Sequence, residues 1–396
     1  MNHIAMTTAE VIVKEDAFQI PTYLKMPLAL ERGKGCLVWD AEGTRFLDFY
    51  GGHCVTLLGH CPPRVVEAIR YQAEHILFYS NAVYSSVRAN TAALLTQMAP
   101  TGLGHVFFCN SGTEAVEAAL KLSRKATGRS GLLAMKGGFH GRTLGSLAAT
   151  WNPAYRDPYT DVLHKTHFVP FGDLEAAELT LMGNPDIAAV ILEPIQSIAG
   201  IVEAHPAYYQ GLRRLCDRHG VCLIFDEIQT GVGRTGTFSI SEQYGCTPDL
   251  ITLAKSLGSG MPVGAVLVSD EISASVEYGD QGSTFGGGML AMAAIKATLE
   301  TLVEQELMQC APTIHTWIRT AVETLGFSVR GRGCLIGVDL GMPAKPVMAA
   351  LRDRGVLVGG SADPHVMRLM PPLVTQPQDV NSFRQAFEQA TQTIKP

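Results

Sequence analysis

The chain has 396 residues, of which 46% are hydrophobic and 17% charged, so it can bury one large core and a smaller second one, and two lobes are expected. Its 31 basic and 37 acidic side chains leave a net charge of -6, and no stretch clusters Lys and Arg. This balance argues against nucleic acid and anionic membranes as partners.

The amino-terminal run Met-Asn-His-Ile-Ala-Met has no basic region followed by an apolar one. No later segment reaches the roughly 18 uninterrupted apolar residues that a membrane-spanning helix needs. A soluble, cytoplasmic protein is therefore expected. The nine cysteines form no Cys-x-x-Cys pair and, like the twelve histidines, lack metal-ligand spacing, so we expect neither a structural disulfide nor a metal site.

The predicted elements begin with a hairpin in the first fifty residues, where apolar runs at 35–39 and 44–48 flank a turn at 40–43. The pattern does not tell to which lobe this hairpin belongs. Further along the chain, short and continuous apolar runs predict strands that are buried on both faces. These runs lie at 106–108, 131–135, 189–192, 221–225 and 265–268.

Helices are predicted between these strands, at 113–127 and 207–219, the first from apolar residues at three- and four-residue steps. Alternating strands and helices predict a mostly parallel sheet covered by helices. From about residue 305, a long helix, short strands over 328–340 and a helix near 345–354 predict a separate, smaller α+β lobe.

A parallel sheet binds ligands at the carboxyl ends of its strands, so the residues after each apolar run are candidates for a site. The first such run is followed by Cys-Asn-Ser-Gly-Thr-Glu-Ala at 109–115. Ser111, Gly112 and Thr113 would seat a phosphate there on the free N–H groups of a helix start. A plain helix N-cap explains the same residues equally well.

Asp226 and Lys255 end two further apolar runs. Asp226 would hold a positive charge such as a protonated pyridine nitrogen, although a Mg²⁺ site or a helix cap are alternatives. Lys255 would lose solvation, which lowers the pKa of its amine and lets the neutral form make a Schiff base. The alternative is that the aliphatic part of the Lys255 side chain packs against the protein while its ammonium group reaches solvent. Because a Schiff-base lysine and a pyridine ring belong to the same cofactor chemistry, Lys255 favours a protonated pyridine nitrogen over Mg²⁺ or a helix cap as the partner of Asp226.

Two nucleotide-binding motifs are absent. No Gly-x-Gly-x-x-Gly follows the first of these strands, and the pair of glycines at 102 and 104 precedes that strand. The chain also has no Gly-x-x-x-x-Gly-Lys-Ser/Thr. A dinucleotide-binding fold and a P-loop are therefore not expected.

Taken together, the motifs resemble the class III, or ω-amino acid, aminotransferases of the pyridoxal 5'-phosphate (PLP) fold type I, within them the acetylornithine and ornithine aminotransferase branch. The resemblance covers nearly the whole chain, from residue 39 to 373. The 29-residue step from Asp226 to Lys255 is also similar. The resemblance rests on four runs: Phe-Cys-Asn-Ser-Gly-Thr-Glu-Ala at 108–115, Phe-His-Gly-Arg-Thr at 139–143, Glu-Pro-Ile-Gln at 193–196, and Asp-Glu-Ile-Gln-Thr-Gly-Val-Gly-Arg-Thr-Gly at 226–236.

This resemblance implies an α/β fold of the PLP-dependent transferase fold type I, with a large domain whose mostly parallel sheet is covered by helices and a smaller α+β domain. Residues 1–54 would be an N-terminal segment of the small domain, 55–304 the large PLP-binding domain and 305–396 the C-terminal small domain. Thr284 matches the residue that reaches the phosphate of the neighbouring subunit, which implies a homodimer with shared active sites.

The resemblance also implies roles for single residues. Lys255 would carry PLP and act as the acid–base catalyst, while Asp226 would pair with the pyridinium nitrogen. Gln229 would form a hydrogen bond with the phenolic oxygen of the ring. The other cofactor contacts would come from Phe139 and Ile228 on the two ring faces, from Ser111, Gly112 and Thr113 at the phosphate, and from Thr284 of the second subunit.

On the substrate side, Arg142 and Arg368 would bind carboxylates. For each arginine, a surface salt bridge is the alternative. The set assigned to substrate consists of His53, Tyr84, Arg142, Glu193 and Arg368.

The sequence departs from the family pattern in three places. Many relatives carry Gly-Glu after Glu-Pro-Ile-Gln, and that glutamate covers an active-site arginine, but Ser197 and Ile198 stand here. We therefore expect Arg368 to stay available to a carboxylate. His53 stands where ornithine aminotransferases carry tyrosine, and Tyr-Gly-Gly-His at 50–53 resembles enzymes that act on N-acylated ornithine. Gly-Gly-Met at 287–289 replaces the usual Gly-Asn-Pro.

We predict a PLP-dependent aminotransferase that moves an amino group from N2-acylornithine, acetylated or succinylated, to 2-oxoglutarate in arginine biosynthesis. An enzyme of the same branch that acts on another ω-amine, a lysine-pathway amine or a specialised metabolite is the first alternative. A PLP decarboxylase or aminomutase is the second. A non-catalytic PLP-fold protein is the third, and the intact Lys255, Asp226, Gln229 and Arg142 argue against it.

Overall fold

The computed structural model describes residues 6–394; the first five residues, on which the expectation of no leader partly rests, lie outside that range. The strands are β1 Leu30–Lys34, β2 Leu37–Asp40, β3 Arg45–Asp48, β4 His105–Cys109, β5 Gly131–Met135, β6 Thr166–Val169, β7 Ile187–Leu192, β8 Ile195–Gln196, β9 Val202–Glu203, β10 Cys222–Asp226, β11 Leu250–Leu253, β12 Gly264–Val268, β13 Ser328–Arg332, β14 Leu335–Asp339, β15 Val356–Leu357 and β16 Val366–Leu369.

The helices are α1 Thr8–Phe18, α2 Gly51–Cys54, α3 Pro63–His75, α4 Ser86–Met98, α5 Gly112–Thr127, α6 Leu144–Ala149, α7 Pro153–Arg156, α8 Leu174–Gly183, α9 Pro206–His219, α10 Ser241–Tyr244, α11 Asp270–Ala274, α12 Met289–Glu304, α13 Cys310–Glu323, α14 Ala344–Arg352 and α15 Pro377–Ile394. Short 3₁₀ segments are found at Asp157–Val162, Lys255–Gly258 and Leu307–Gln309.

A seven-stranded sheet in the order β4-β12-β11-β10-β7-β5-β6 forms the centre of the larger part of the molecule. Strand β12 runs antiparallel to both of its neighbours, and the other pairings in the sheet are parallel. The prediction of a mostly parallel sheet is therefore confirmed. The edge strand β6 was not predicted, because its run Thr-His-Phe-Val is too polar and too short to give a continuous apolar signal.

Both faces of this sheet are covered, as its continuous apolar strands predicted. Along β7, Ala189 and Ile191 face one core and Val190 and Leu192 face the other. Helix α5 packs on the first face through a stripe of small residues, begins at the N-cap Ser111 and ends at a left-handed glycine C-cap. Its start, at the carboxyl end of β4, is thereby fixed beside the sheet edge that carries the site.

Helix α12, which the sequence patterns did not reveal, packs against α3 and α4. Most of its side chains are buried. Because a helix that is apolar on nearly all sides has no polar face, it lacks the three- and four-residue stripe by which amphipathic helices are recognised.

The predicted α+β elements near the carboxyl terminus are confirmed as α13, the antiparallel strands β13 and β14, and α14. Strand β16, which was not predicted, pairs antiparallel with β14 and completes a three-stranded sheet. Strand β15 pairs in parallel with β3, with Val356 opposite Leu47, so the amino-terminal hairpin β2-β3 joins a sheet with the C-terminal region. The hairpin pattern alone did not tell to which lobe the hairpin belongs, and this pairing with β15 supplies the missing contact. The division of the chain at 54/55 and 304/305 stays a prediction.

Three further findings concern residues 6–394 alone. No helix in this range is both long and apolar enough to cross a bilayer. All nine cysteines are unpaired. No group of three or more His, Cys, Asp or Glu side chains in the described part of the chain is arranged as a metal site.

Candidate active site

A cavity of about 570 Å³ lies at the carboxyl ends of β4, β10 and β11, which is a typical size for a small-molecule site. Its lining draws on four separate stretches of sequence that the motifs had singled out. Ten of the predicted site residues line it together: Ser111, Gly112, Thr113, Phe139, Arg142, Glu193, Asp226, Ile228, Gln229 and Lys255.

Lys255 follows β11 and starts the 3₁₀ turn Lys255–Gly258 with a left-handed φ of 38°. A non-glycine residue in this region is strained, and such strain is concentrated at functional sites. Among the described residues its ammonium has no hydrogen bond or ion pair, and burial, aided by the charge of Arg368, lowers the pKa of Lys255. Burial thus acts towards the neutral amine, and the role of Lys255 as the nucleophile stays a prediction.

Asp226 is buried at the end of β10, and both of its carboxylate oxygens are held. Its Oδ2 lies 2.7 Å from Nδ1 of His140, and its Oδ1 accepts hydrogen bonds from Thr252 Oγ1 at 3.1 Å and from the Ile228 N–H at 3.2 Å. A turn rather than a helix follows Asp226, so the helix-cap alternative is wrong. The carboxylate is oriented in advance for a cation in the cavity.

His140 is the main residue that the sequence analysis missed. It is buried, and its Nε2 has no hydrogen-bond partner among the described residues. The one sequence signal for His140 was its position between two predicted site residues, Phe139 and Arg142, in the motif at 139–143. The 86 residues that separate it from Asp226 hide the contact from any local pattern.

At the start of α5, Ser111 is an N-cap whose hydroxyl accepts from the Glu114 N–H at 3.3 Å, so the plain capping interpretation is correct for this side chain. The N–H groups of Gly112 and Thr113 are among the first of the helix and have no intrahelical acceptor. A Cβ on Gly112 would approach Cδ1 of Ile228 to 2.7 Å, so a larger residue at 112 would displace the end of that side chain. The helix cap and the phosphate site are therefore compatible, because the Ser111 cap leaves the N–H groups of Gly112 and Thr113 free for an anion.

Arg368 is 4% exposed and lies beside the cavity without a carboxylate partner among the described residues. Its Nε donates to the Gly360 carbonyl at 2.6 Å and its Nη1 to Ser197 Oγ at 3.0 Å. Ser197 Oγ in turn donates to Gln229 Oε1 at 3.0 Å. The surface salt bridge is therefore wrong for Arg368, which is a buried cation held by neutral groups.

Arg142 is exposed at the rim of the cavity and likewise makes no salt bridge with a described residue. Its guanidinium stacks on Tyr155, 3.4 Å from the ring centroid, and Tyr155 meets Phe139 edge-on. The salt-bridge alternative is wrong here too. Tyr155, which carries no motif signal of its own, provides an aromatic platform that keeps the arginine available for an anion.

His53 lies on α2, a single turn in which four successive residues have left-handed φ angles between 54° and 68°. The turn is held because Asp48 accepts hydrogen bonds from the N–H groups of Tyr50, Gly51 and Gly52. Desolvation, together with the charges of Lys255 and Arg368, lowers the pKa of His53 to about 4. At neutral pH this turn therefore presents an uncharged imidazole, hydrogen bonded to the Tyr50 hydroxyl.

Glu193 lines the cavity but is engaged with the backbone. Its two oxygens accept from the N–H groups of Phe139 at 2.8 Å and Ser197 at 3.3 Å. Burial raises its pKa to about 7, with Asp226 acting in the same direction. These contacts indicate that Glu193 positions the two flanking loops.

Tyr84 and Thr284 are not brought into the cavity of their own chain. Both lie on the surface, Tyr84 beside Ser283 and Thr284 next to the exposed Phe285. Neither residue can therefore contact a ligand in this cavity unless a second chain supplies it.

The family model Aminotransferase class-III matches residues 19–391, and this match decides the family. The chain belongs to the class III aminotransferases. It is 44% identical over 365 residues to the acetylornithine aminotransferase of Methanopyrus kandleri, covering 91% of this chain and 93% of that protein.

Two aminotransferases are among the solved structures that share its fold. An ornithine aminotransferase from Toxoplasma gondii, described with partial occupancy of PLP at its active site, aligns with a TM-score of 0.92 at 27% identity over 99% of this chain and 95% of that one. An acetylornithine aminotransferase from Elizabethkingia anophelis aligns with a TM-score of 0.86 at 28% identity over 98% and 100%. The predicted PLP fold type I is confirmed, and membership of this class implies PLP as cofactor.

Proposed function

We propose that this class III aminotransferase binds PLP in the cavity and transfers the amino group of an N2-acylornithine to 2-oxoglutarate, in arginine biosynthesis. The observation that carries the proposal is the pairing, in one cavity, of a desolvated lysine with a buried, oriented carboxylate: Lys255 and Asp226. The acetylornithine aminotransferases among its relatives support the substrate. A cytoplasmic location stays a prediction.

The lining residues fit PLP by their chemistry. The free N–H groups of Gly112 and Thr113 would hold its phosphate, Phe139 and Ile228 would contact the ring, and Asp226 would pair with the ring nitrogen. When bound, PLP supplies an electron-withdrawing ring that stabilises negative charge on the reacting carbon.

The protein's own part in the reaction is proton transfer and positioning. Lys255 Nζ would take the proton from the substrate carbon that carries the amino group and deliver it to C4' of PLP, a transfer for which the lowered pKa that burial gives this amine is suited. Asp226 would keep its negative charge in place, because His140 and Thr252 hold its two oxygens.

The two arginines would bind the carboxylates of the substrates. Arg142 stands at the rim and Arg368 beside the cavity, and neither is neutralised by a carboxylate of the described residues. A buried cation without a counter-ion is costly, so an anionic substrate group is its favoured partner. Glutamate, 2-oxoglutarate and succinylornithine bring two carboxylates, whereas acetylornithine and ornithine bring one. On this argument we expect succinylornithine to be a better donor than acetylornithine.

A panel of amino donors with 2-oxoglutarate, followed by glutamate formation, tests the proposed function. We expect glutamate from the acylated ornithines at a higher kcat/KM than from ornithine, lysine or simple ω-amines, since these lack the acyl group. CO₂ release without glutamate would instead mark a decarboxylase. Isomerised donor without glutamate or CO₂ would mark an aminomutase.

We also propose a homodimer with shared active sites. Tyr84 and Phe285 are large exposed aromatic residues, Tyr84 beside Ser283 and Phe285 next to the exposed Thr284, and such a surface suits burial against a second copy. We expect a dimer by sedimentation, with activity per chain falling on dilution as monomers form. A monodisperse monomer that keeps full activity would contradict this assembly.

A further inference from the structure

Ser197 lies wholly buried between two groups of the site and has no exposed surface. It accepts a hydrogen bond from Arg368 Nη1 and donates one to Gln229 Oε1, each at 3.0 Å. Its backbone N–H is bound to Glu193, so the loop that carries it is held as well. The serine thus links the buried guanidinium to an amide that lines the cavity.

The direction of these two bonds follows from the hydrogens available. A guanidinium has only donors, so the Ser197 hydroxyl must accept from Arg368. Its single proton then needs another acceptor, which Gln229 Oε1 provides. A flipped amide would turn its NH₂ to the hydroxyl and leave that buried proton without an acceptor, which is unfavourable.

The orientation of Gln229 is therefore fixed. Because its oxygen is occupied by Ser197, its NH₂ group is left for the cavity, and it donates to none of the described residues. The amide consequently presents a hydrogen-bond donor, and not an acceptor, to a bound molecule.

We propose that Ser197 is a positioning residue that sets Gln229 as a donor to the phenolic oxygen of PLP and ties this donor to the carboxylate-binding Arg368. The inference rests on the proposed function, since it requires PLP in the cavity. Apart from the arginine, the link consists of a hydroxyl and an amide, which do not change their protonation during the reaction. We therefore expect the link to be present in both half-reactions.

The absorption of bound PLP as a function of pH tests the proposal. A donor to the phenolic oxygen stabilises its negative charge and weakens its hold on a proton, so losing the donor raises the pH midpoint of the absorption change. For Ser197→Ala we expect a rise of about 0.5 unit, the size of one neutral hydrogen bond. Ser197→Cys, with its weak S–H donor, should shift the midpoint less.

The second readout is the kinetics with 2-oxoglutarate, whose KM should rise about fivefold in Ser197→Ala because Arg368 loses one of its acceptors. Ser123→Ala is the matched control, since this buried serine on α5 donates to the Ala119 carbonyl, outside the cavity lining. It should change neither the midpoint nor KM.

The outcomes separate the two proposals. An unchanged midpoint in both Ser197 variants, with PLP still bound, would overturn the role of Ser197 and leave the proposed function intact. A wild-type protein that takes up no PLP at all would overturn both. If Ser197→Ala fails to fold, the intermediate shift in Ser197→Cys decides.

Discussion

Lys255→Ala should abolish amino transfer, with kcat falling roughly 10⁴-fold, the upper range for loss of a general acid–base group. Lys255 lines the cavity, has no partner among the described residues and has a lowered pKa, and the cavity lining contains no second lysine. Glutamate formation from acetylornithine and 2-oxoglutarate measures the loss. Borohydride reduction of the wild type with PLP should place the label on Lys255.

The matched control is Lys34→Ala, which removes an exposed lysine from β1, outside the cavity. This variant should keep full turnover and the label. Lys255→Ala should keep the thermal stability of the wild type to within a few degrees, because the amine of Lys255 makes no hydrogen bond or ion pair with a described residue and alanine keeps the same left-handed backbone. A labelled peptide without Lys255, or turnover retained in Lys255→Ala, would be incompatible with the proposed chemistry.

Arg368→Ala should lower kcat/KM for 2-oxoglutarate about 100-fold, mainly through KM, and should affect a simple ω-amine far less. The reason is that a buried guanidinium without a counter-charge binds a substrate carboxylate strongly, and truncating one partner of such a pair costs several kcal/mol. Separate half-reactions with 2-oxoglutarate and with the amine measure the two effects. Arg384→Ala, which removes a half-buried arginine on α15 that pairs with Glu388, serves as control.

Ile198→Glu is the complementary variant. Position 198 directly follows Ser197, which contacts Arg368, so a carboxylate introduced there would compete with substrate for the guanidinium. We expect the glutamate half-reaction to weaken and the preference to move towards monocarboxylate amines such as ornithine. Unchanged selectivity in both Arg368→Ala and Ile198→Glu would show that Arg368 binds no substrate carboxylate.

The elements at the centre of the fold could be predicted because their signal is local. Strands such as β7 and β10 are buried on both faces, so they are apolar without interruption. Helix α5 carries its stripe and its caps within its own sequence. By contrast, β6 is short and polar and α12 is apolar on nearly all sides, so neither shows the period that marks its type.

The sequence by itself also determined where the cavity would be, since Asp226 ends β10 and Lys255 follows β11, and the carboxyl ends of these two parallel strands meet at one sheet edge. Only the tertiary structure decided that the hairpin β2-β3 pairs with β15, that His140 holds Asp226, and that Ser197 links Gln229 to Arg368. The physical reason is that each of these is a contact between groups far apart in the chain. Such a contact depends on packing and on matching donors with acceptors, neither of which leaves a periodic trace in the residues beside it.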